Sequence, residues 1–415
     1  MSGTAPSRRR RLVGRILAAL TGVGILFLTL WPAPEEAARS AETPLWCLVC
    51  GDIGTQDVIQ NVLMLLPFGL GLAMGGASRR AAALAGFALS CTVEALQLSV
   101  VPGRDASLSD VLTNSTGAAL GAWLATQLDV LLHPSPRQAA RLAWGAVATF
   151  VVFWVLSGWL VGLSPGPAPW RVDVQPDIVD APAFDGEVRA AAVSGVALRP
   201  GLQDVPPAIH DAYAADSIAV VLSLVATGGV AGRGGLLQVR DALGRVNAVA
   251  QRMGTDGRLS LRIRASQLLL RPIRFRAPGV FAVRAGAPIA FDVRREGGWM
   301  AIAAAHDGAP ASRTGIGPHW LTTIMLPVDA EPGLAWELFA YLWVSALLAL
   351  AANWAVQGAL RRPAALAMAA LAAVALAAVP PLFRLAPTSP AGWGMALGGV
   401  ALGLLVGRRA DDPPA

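Results

Sequence analysis

The chain has 415 residues, of which 54% are hydrophobic and only 14% charged, with a formal net charge of +6. Soluble domains carry about 25% charged residues, so this balance, with a mean hydropathy of +0.54, excludes an ordinary soluble enzyme and points to a polytopic membrane protein. All 33 basic residues are arginines, spread along the whole chain rather than gathered in one patch, which argues against a nucleic-acid partner.

A hydrocarbon core requires about 20 mostly apolar residues per helix. Eight segments qualify: 12–31, 58–76, 81–101, 108–132, 141–163, 334–358, 364–382 and 391–407. Basic clusters lie before the first (Arg8 to Arg11), between the second and third (Arg79, Arg80) and after the fourth (Arg137, Arg141). Others separate the sixth and seventh (Arg361, Arg362) and follow the eighth (Arg408, Arg409). All share one side if both termini are cytoplasmic, the orientation the positive-inside rule predicts. The predicted fold class is therefore a polytopic α-helical membrane protein of about eight transmembrane helices, carrying an inserted extracytoplasmic all-β sandwich. Four regions are expected: a four-helix membrane region over 1–135, a fifth helix and linker over 136–170, the sandwich over 171–332 and a three-helix membrane region over 333–415.

The first segment, RRRRLVGRILAALTGVGILFLTLWPAP, has the basic start and small-residue end of a signal peptide. Its apolar stretch of about 20 residues is longer than a usual signal core, so it reads as a helix. The following loop, 32–57, carries Glu35, Glu36, Glu42, Asp52 and Asp57 against Arg39, as suits a translocated loop. Its Cys47 and Cys50 form a CxxC, which fits a redox pair, half a zinc site or a small disulfide. The loop offers too few Cys or His for zinc, and a Cys47–Cys50 disulfide in an oxidising compartment is the favoured reading. Cys91 reads as a packing residue.

Ionisable groups at membrane depth cost about 2.5 to 3.5 kcal/mol each, so those in the next three segments call for a reason. Asn61 of the second segment shares a face with Asp57 at its outer edge, as do Glu94 and Gln97 in the third and Asp110 and Asn114 in the fourth. Gly117 and Gly121 continue the last face as a GxxxG that lets a neighbouring backbone approach closely. The expected topology places all five polar side chains from Asn61 to Asn114 toward the outer leaflet, and the linker PGRDASLS adds Arg104 and Asp105. One reading is a pocket in which Glu94 and Asp110 are the catalytic acid and base, Arg104 clamps an anion, and Asn61, Gln97 and Asn114 orient a substrate. The other has Arg104 paired with Asp105 or Asp110 and the amides stapling the helices.

Between 164 and 332 the helix-length apolar runs stop. SIAVVLSLVA, GLLQVRD, RVNAVAQRM, GRLSLRIRA, PIAFDVRR, WMAIAAAHDG and HWLTTIML each read as strands, with Leu259, Leu261 and Ile263 alternating against arginines. GGVAGRGG reads as a turn, since it lacks the GK[ST] of a phosphate loop. This order of elements resembles laminin-G or concanavalin A-like jelly rolls. That resemblance implies sugar or calcium binding, although no Asp/Asn cluster names a calcium site, and a spacer or protein-contact role stays open. The four histidines are scattered, so no metal and no cofactor is expected.

The stretches NVLMLLPFGLGL, EALQ and GRDASLSDVLTNSTGAALGA together resemble the VanZ-like family. The pattern is Asn61 before an apolar run ending in Pro67-x-Gly69, then Glu94-x-x-Gln97, Arg104, and Asp110-x-x-x-Asn114-x-x-Gly117-x-x-x-Gly121. The resemblance covers about residues 12–135 and implies a bacterial inner-membrane protein of the cell envelope. The family's namesake is associated with low-level resistance to the glycopeptide teicoplanin. Expected partners are membrane lipids and a lipid-linked or cell-wall glycan. Three functions stay open: acid–base chemistry on such a glycan, envelope binding by a scaffold whose sandwich recognises a glycan or protein, and proton-coupled transport or flipping of an amphiphile.

Overall fold

A computed structural model describes residues 7–31, 46, 48–49, 51, 53–101, 107–178, 182–225, 232–284, 286–304, 312–326 and 328–411. Cys47, Cys50 and Arg104, with the disulfide and anion-clamp readings attached to them, lie outside the described residues. The chain divides into two compact units, Met1–Pro134 and Ser135–Ala415.

The first unit is a bundle of α1 (Arg8–Leu30), α2 (Gly54–Met74), α3 (Arg79–Ser99) and α4 (Leu108–Leu132). Contacts at its two ends fix the helix directions. Arg10 near the start of α1 pairs with Asp129 near the end of α4 at 2.7 Å and donates to the Ala125 carbonyl at 2.9 Å. At the other end Gln97 of α3 donates to the Thr29 carbonyl of α1 at 2.9 Å, satisfying one of the carbonyls that a helix C-terminus leaves without an internal partner. The helices thus run up, down, up, down, with α2 and α4 parallel. Small residues bring these two into backbone contact: a Cβ on Gly69 would run into the Ala118 backbone, one on Gly117 into Val62 and one on Gly121 into Leu66.

The second unit begins with α5 (Pro136–Leu160) and continues into the strands β1 (Arg171–Val174), β2 (Glu187–Val193), β3 (Val196–Leu198) and β4 (Gly201–Asp204). After α6 (Pro207–Ala214) come β5 (Ser217–Val225), β6 (Arg233–Arg240), β7 (Val246–Met253) and β8 (Asp256–Leu261). The short α7 (Arg264–Gln267) leads to β9 (Ile273–Ala277), β10 (Pro288–Glu296), β11 (Trp299–Ala304) and β12 (Ser312–Gly315). The unit closes with α8 (Leu321–Met325), α9 (Leu334–Ala340), α10 (Leu342–Gln357), α11 (Arg362–Leu382) and α12 (Pro390–Asp411).

The strands form two antiparallel six-stranded sheets, in the orders β4-β1-β6-β7-β8-β9 and β12-β11-β10-β5-β2-β3. The inner faces meet where Gly257 of β8 lies under the Phe291 ring of β10, and Phe281 stacks on Phe291 at 6.5 Å between ring centroids. Leu259, Leu261 and Ile263 are fully buried, as their alternation requires. The all-β sandwich is therefore present. HWLTTIML is not a strand: Pro318–Trp320 form a 3-10 turn and Leu321–Met325 a helical turn. Thr323 makes a local bond instead, donating to the Trp320 carbonyl at 2.8 Å, and Thr322 donates across to the Ala340 carbonyl at the end of α9 at 3.0 Å. The end of GGVAGRGG is likewise strand rather than turn, because Gly234 and Gly235 lie in β6, where the close approach of Phe184 and Pro176 leaves no room for a Cβ.

The helices of this unit pack on a core of Phe150, Trp154, Tyr341, Val344, Leu348 and Leu376, and the Trp154 indole donates to the Ala375 carbonyl at 3.0 Å. Among the described residues, six helices (α1, α2, α3, α5, α11 and residues 390–407 of α12) are long and apolar enough to cross a membrane, and α9 with α10, bent by 46°, makes a seventh. The chain is a multi-pass membrane protein. The expected fourth span is present as the helix α4, which is less apolar than these because Asp110, Asn114, Gln127 and Asp129 are spread along it.

The sandwich is anchored on the end of α5. Arg295 of β10, fully buried, sends both terminal guanidinium nitrogens to the Val161 carbonyl at 3.3 Å and pairs with Asp216 at 2.7 Å. Arg264 donates to the Trp159 carbonyl at 3.2 Å, so two cations sit at the negative end of the α5 dipole. Beneath them the Tyr213 hydroxyl lies 2.8 Å from the Asn247 carbonyl and 2.7 Å from that of Arg262. Tyr213→Phe should lower the unfolding free energy by about 1 to 2 kcal/mol, read from thermal unfolding of the detergent-solubilised chain, because buried carbonyls lose a donor.

Candidate functional site

One end of the first unit, where α2 and α4 begin and α1 and α3 finish, collects polar side chains inside an otherwise apolar bundle. Asn61 of α2 donates to Asp110 of α4 at 2.7 Å. Asn114, one turn further along α4, donates to the Ser90 hydroxyl of α3 at 3.0 Å. Ser90 in turn lies 3.4 Å from the Asp110 carbonyl. Glu94, one turn beyond Ser90, accepts from the Ser107 backbone N–H at 2.7 Å, and Ser107 is the N-cap of α4. A carboxyl oxygen there accepts from one of the N–H groups that a helix start leaves unpaired, so an acidic side chain of α3 marks the start of α4. The fifth residue, Gln97, uses its N–H on α1 as described.

The two carboxylates occupy unequal surroundings. Glu94 is 8% exposed and bound to backbone, whereas Asp110 is half-buried and bound to a carboxamide. They are close enough to feel each other's charge, and Asp110 also feels Asp57 from the first turn of α2. Two acceptors among them are unmatched by the described residues: the buried oxygens Asn114 Oδ1 and Gln97 Oε1. A buried acceptor left this way costs about 1 to 3 kcal/mol.

Residues 17–132 match the VanZ/LLP1 family model. They form a VanZ-like domain. No curated protein and no solved structure matches the chain.

Within the VanZ-like domain, the structure brings Asn61, Glu94, Gln97, Asp110 and Asn114 to one end, while Gly117 and Gly121 lie further along α4 against the α2 backbone. The arginines of Arg8–Arg11 and Arg79–Arg80 start α1 and α3 at the opposite end. Two further residues belong to the polar cluster. Ser90 links Asn114 to the Asp110 backbone, and its position four residues before Glu94 on the same helical face was the signal for it. Ser109, beside the N-cap, donates to the Leu48 carbonyl at 2.6 Å and ties the loop before α2 to α4, a contact no spacing announces. Among the described residues no group of three or more His, Cys, Asp or Glu is placed to hold a metal ion. What the VanZ-like cluster holds is two carboxyl groups, the kind of side chain that general acid–base work uses, among carboxamides and hydroxyls.

Proposed function

We propose that the VanZ-like domain carries out acid–base chemistry on a lipid-linked or envelope glycan at the outer leaflet of a bacterial inner membrane, with both termini cytoplasmic and the sandwich outside. The observation that carries this reading is the convergence of Glu94 and Asp110, in unequal surroundings, with two unmatched carboxamide oxygens at the arginine-poor end of an apolar bundle. Asp110, the more accessible carboxylate, takes a proton from an attacking hydroxyl as its oxygen bonds to the electrophilic centre of the glycan linkage, and Glu94, in its protonated form, gives a proton to the oxygen whose bond to that centre breaks. Asn61, Gln97 and Asn114 orient the glycan, and Arg104 in the α3–α4 linker holds its phosphate. The sandwich, as a laminin-G-like module, presents the same class of glycan. Such chemistry would alter the precursor that a glycopeptide recognises, which is the route to a resistance phenotype.

The internal bonds of Glu94 and Asp110 favour a second reading, in which the cluster only staples the bundle of an envelope scaffold. Full-length Glu94→Gln and Asp110→Asn chains, each able to keep the observed bonds as acceptors, separate the two. In cells lacking the native chain, both variants should reach the membrane fraction and yet fail to restore the wild-type lipid-linked precursor pool or glycopeptide susceptibility. Loss of one proton-transfer group costs about 100-fold or more in rate. Full complementation by both would leave the scaffold reading standing.

A further inference from the structure

A second site lies in the other unit, where the sandwich meets the helix that enters the membrane. A cavity of about 620 Å³ opens between β7, β8 and β9 on one side and α9 on the other. Its polar wall is built on the β8–β9 ladder. Arg258 and Arg276 stand directly opposite each other, and Arg274 is two residues along β9 on the same face. Like charges across a ladder are destabilising, so their retention together requires compensation. The segment 328–331 provides it by running along the edge of β9, with the Arg276 N–H donating to the Ala330 carbonyl at 2.8 Å and the Ala330 N–H to that of Arg274 at 2.9 Å. Asp329 from this segment pairs with Arg258, whose Nε lies 2.7 Å away. Asp256 pairs with Arg276 through Nε at 2.7 Å, while Glu331 stands at 3.6 Å from the same guanidinium and is 43% exposed.

The other wall is apolar and continuous with the membrane-facing surface. Trp336 and Phe339 of α9 line the cavity, and Leu334 and Phe339 are 65% and 39% exposed on the helix that leads into the bent span. Trp336 is itself only 6% exposed, and its ring closes this wall. The three guanidiniums on the facing wall make the cavity a place for an oxyanion. The lining charges nevertheless cancel, three arginines against Asp256, Asp329 and Glu331, so a purely anionic ligand would not be matched. The volume suits a headgroup-sized ligand.

We propose that this cavity receives the headgroup of a zwitterionic membrane phospholipid of the phosphatidylethanolamine type. Its phosphate faces Arg274 and Arg276, its ammonium faces Glu331, the least tightly held of the three carboxylates, and its acyl chains leave over Phe339 and Leu334 into the bilayer.

Native mass spectrometry of the delipidated full-length chain in detergent tests this with three probes: phosphatidylethanolamine, phosphatidylglycerol and chain-free glycerophosphoethanolamine. Phosphatidylethanolamine should be retained under conditions that strip phosphatidylglycerol. Arg274→Gln and Glu331→Gln should each weaken its retention about tenfold, the weight of one charge-assisted hydrogen bond. Thermal unfolding without lipid shows whether each variant is folded. If Arg274→Gln is not, Phe339→Ser, at an exposed position, carries the same expectation through loss of the chain contact. Equal retention of both lipids, unchanged retention in the folded variants, or competition by glycerophosphoethanolamine as effective as that by the intact lipid would overturn the assignment.

Discussion

Arg295→Met should lower the unfolding free energy of the full chain by about 3 to 5 kcal/mol, enough to lose most of the stability of an ordinary domain. The side chain is fully buried, so its removal leaves Asp216 without its counter-charge and the Val161 carbonyl without its two donors. Asp216 also accepts from the Leu163 N–H, so the pair holds the chain on both sides of the point where α5 hands over to the sandwich. Burial, which Arg295 only partly offsets, already holds the Asp216 carboxyl above the usual range. Its ionisation therefore opposes folding above about pH 4, where the unfolded chain ionises freely, and the opposition grows up to the folded pKa. Without Arg295 that folded value rises further, so the deficit of the variant is largest at neutral pH and shrinks on acidification toward pH 4. Adding Asp216→Asn should recover part of the loss at pH 7, because it removes the unpaired charge while keeping a residue tolerant of the positive φ of 61° at that turn. Unfolding curves of the single and double variants at pH 7 and pH 5 check both the size and the sign. A double variant as unstable as Arg295→Met alone would show that lost packing, not the stranded charge, is the cause.

Gly121→Val should be the most damaging single change in the VanZ-like domain, at about 1 to 3 kcal/mol or more, because no rotamer choice relieves it. The new Cβ would meet the Leu66 carbonyl and the Leu70 nitrogen, which are backbone atoms of a helix and can move only if α2 and α4 separate. Separation would also stretch the 2.7 Å Asn61–Asp110 bond at the end of the same helix pair. Gly145, whose Cβ would meet nothing within 4 Å, is the matched control. Gly145→Val in the middle of α5 should change stability by less than about 1 kcal/mol and in the favourable direction, because glycine is the poorer helix former. The difference between the two melting shifts, read in detergent solution, measures how much of the domain rests on that one helix contact.

The polar end of the VanZ-like domain could be read from the sequence because each pair sits on one helical face: Glu94 with Gln97, and Asp110 with Asn114. Period alone predicts such neighbours. What it cannot supply is the partner on the next helix. Glu94, read from the sequence as a chemical group, also accepts from the Ser107 N–H at the start of α4, a partner on another helix that spacing within α3 does not announce. In the sandwich, long strands such as Ser217–Val225 and Pro288–Glu296 were legible from alternating burial. The short edge elements Val196–Leu198 and Gly201–Asp204 were not, since three or four half-exposed residues carry no period. HWLTTIML misled because its β-branched residues favour strands, whereas Pro318 and the bonds of Thr322 and Thr323 fold it into turns. The cavity beside α9 had no signature at all. Arg258, Arg274 and Asp329 come from separate segments, and only the β8–β9 register and the edge-running 328–331 segment bring them together.

The claim on which the functional account turns is that Asp110 takes part in chemistry rather than in packing alone. Wild-type and Asp110→Asn full-length chains, purified side by side in bilayer discs and incubated with a total lipid-linked glycan extract, give the direct comparison by mass spectrometry of the lipid fraction. The account predicts a species consumed and a product formed by the wild type and by neither at a comparable rate in the variant, with identical melting curves for the two proteins. Lipid profiles that match between wild type and Asp110→Asn would contradict it.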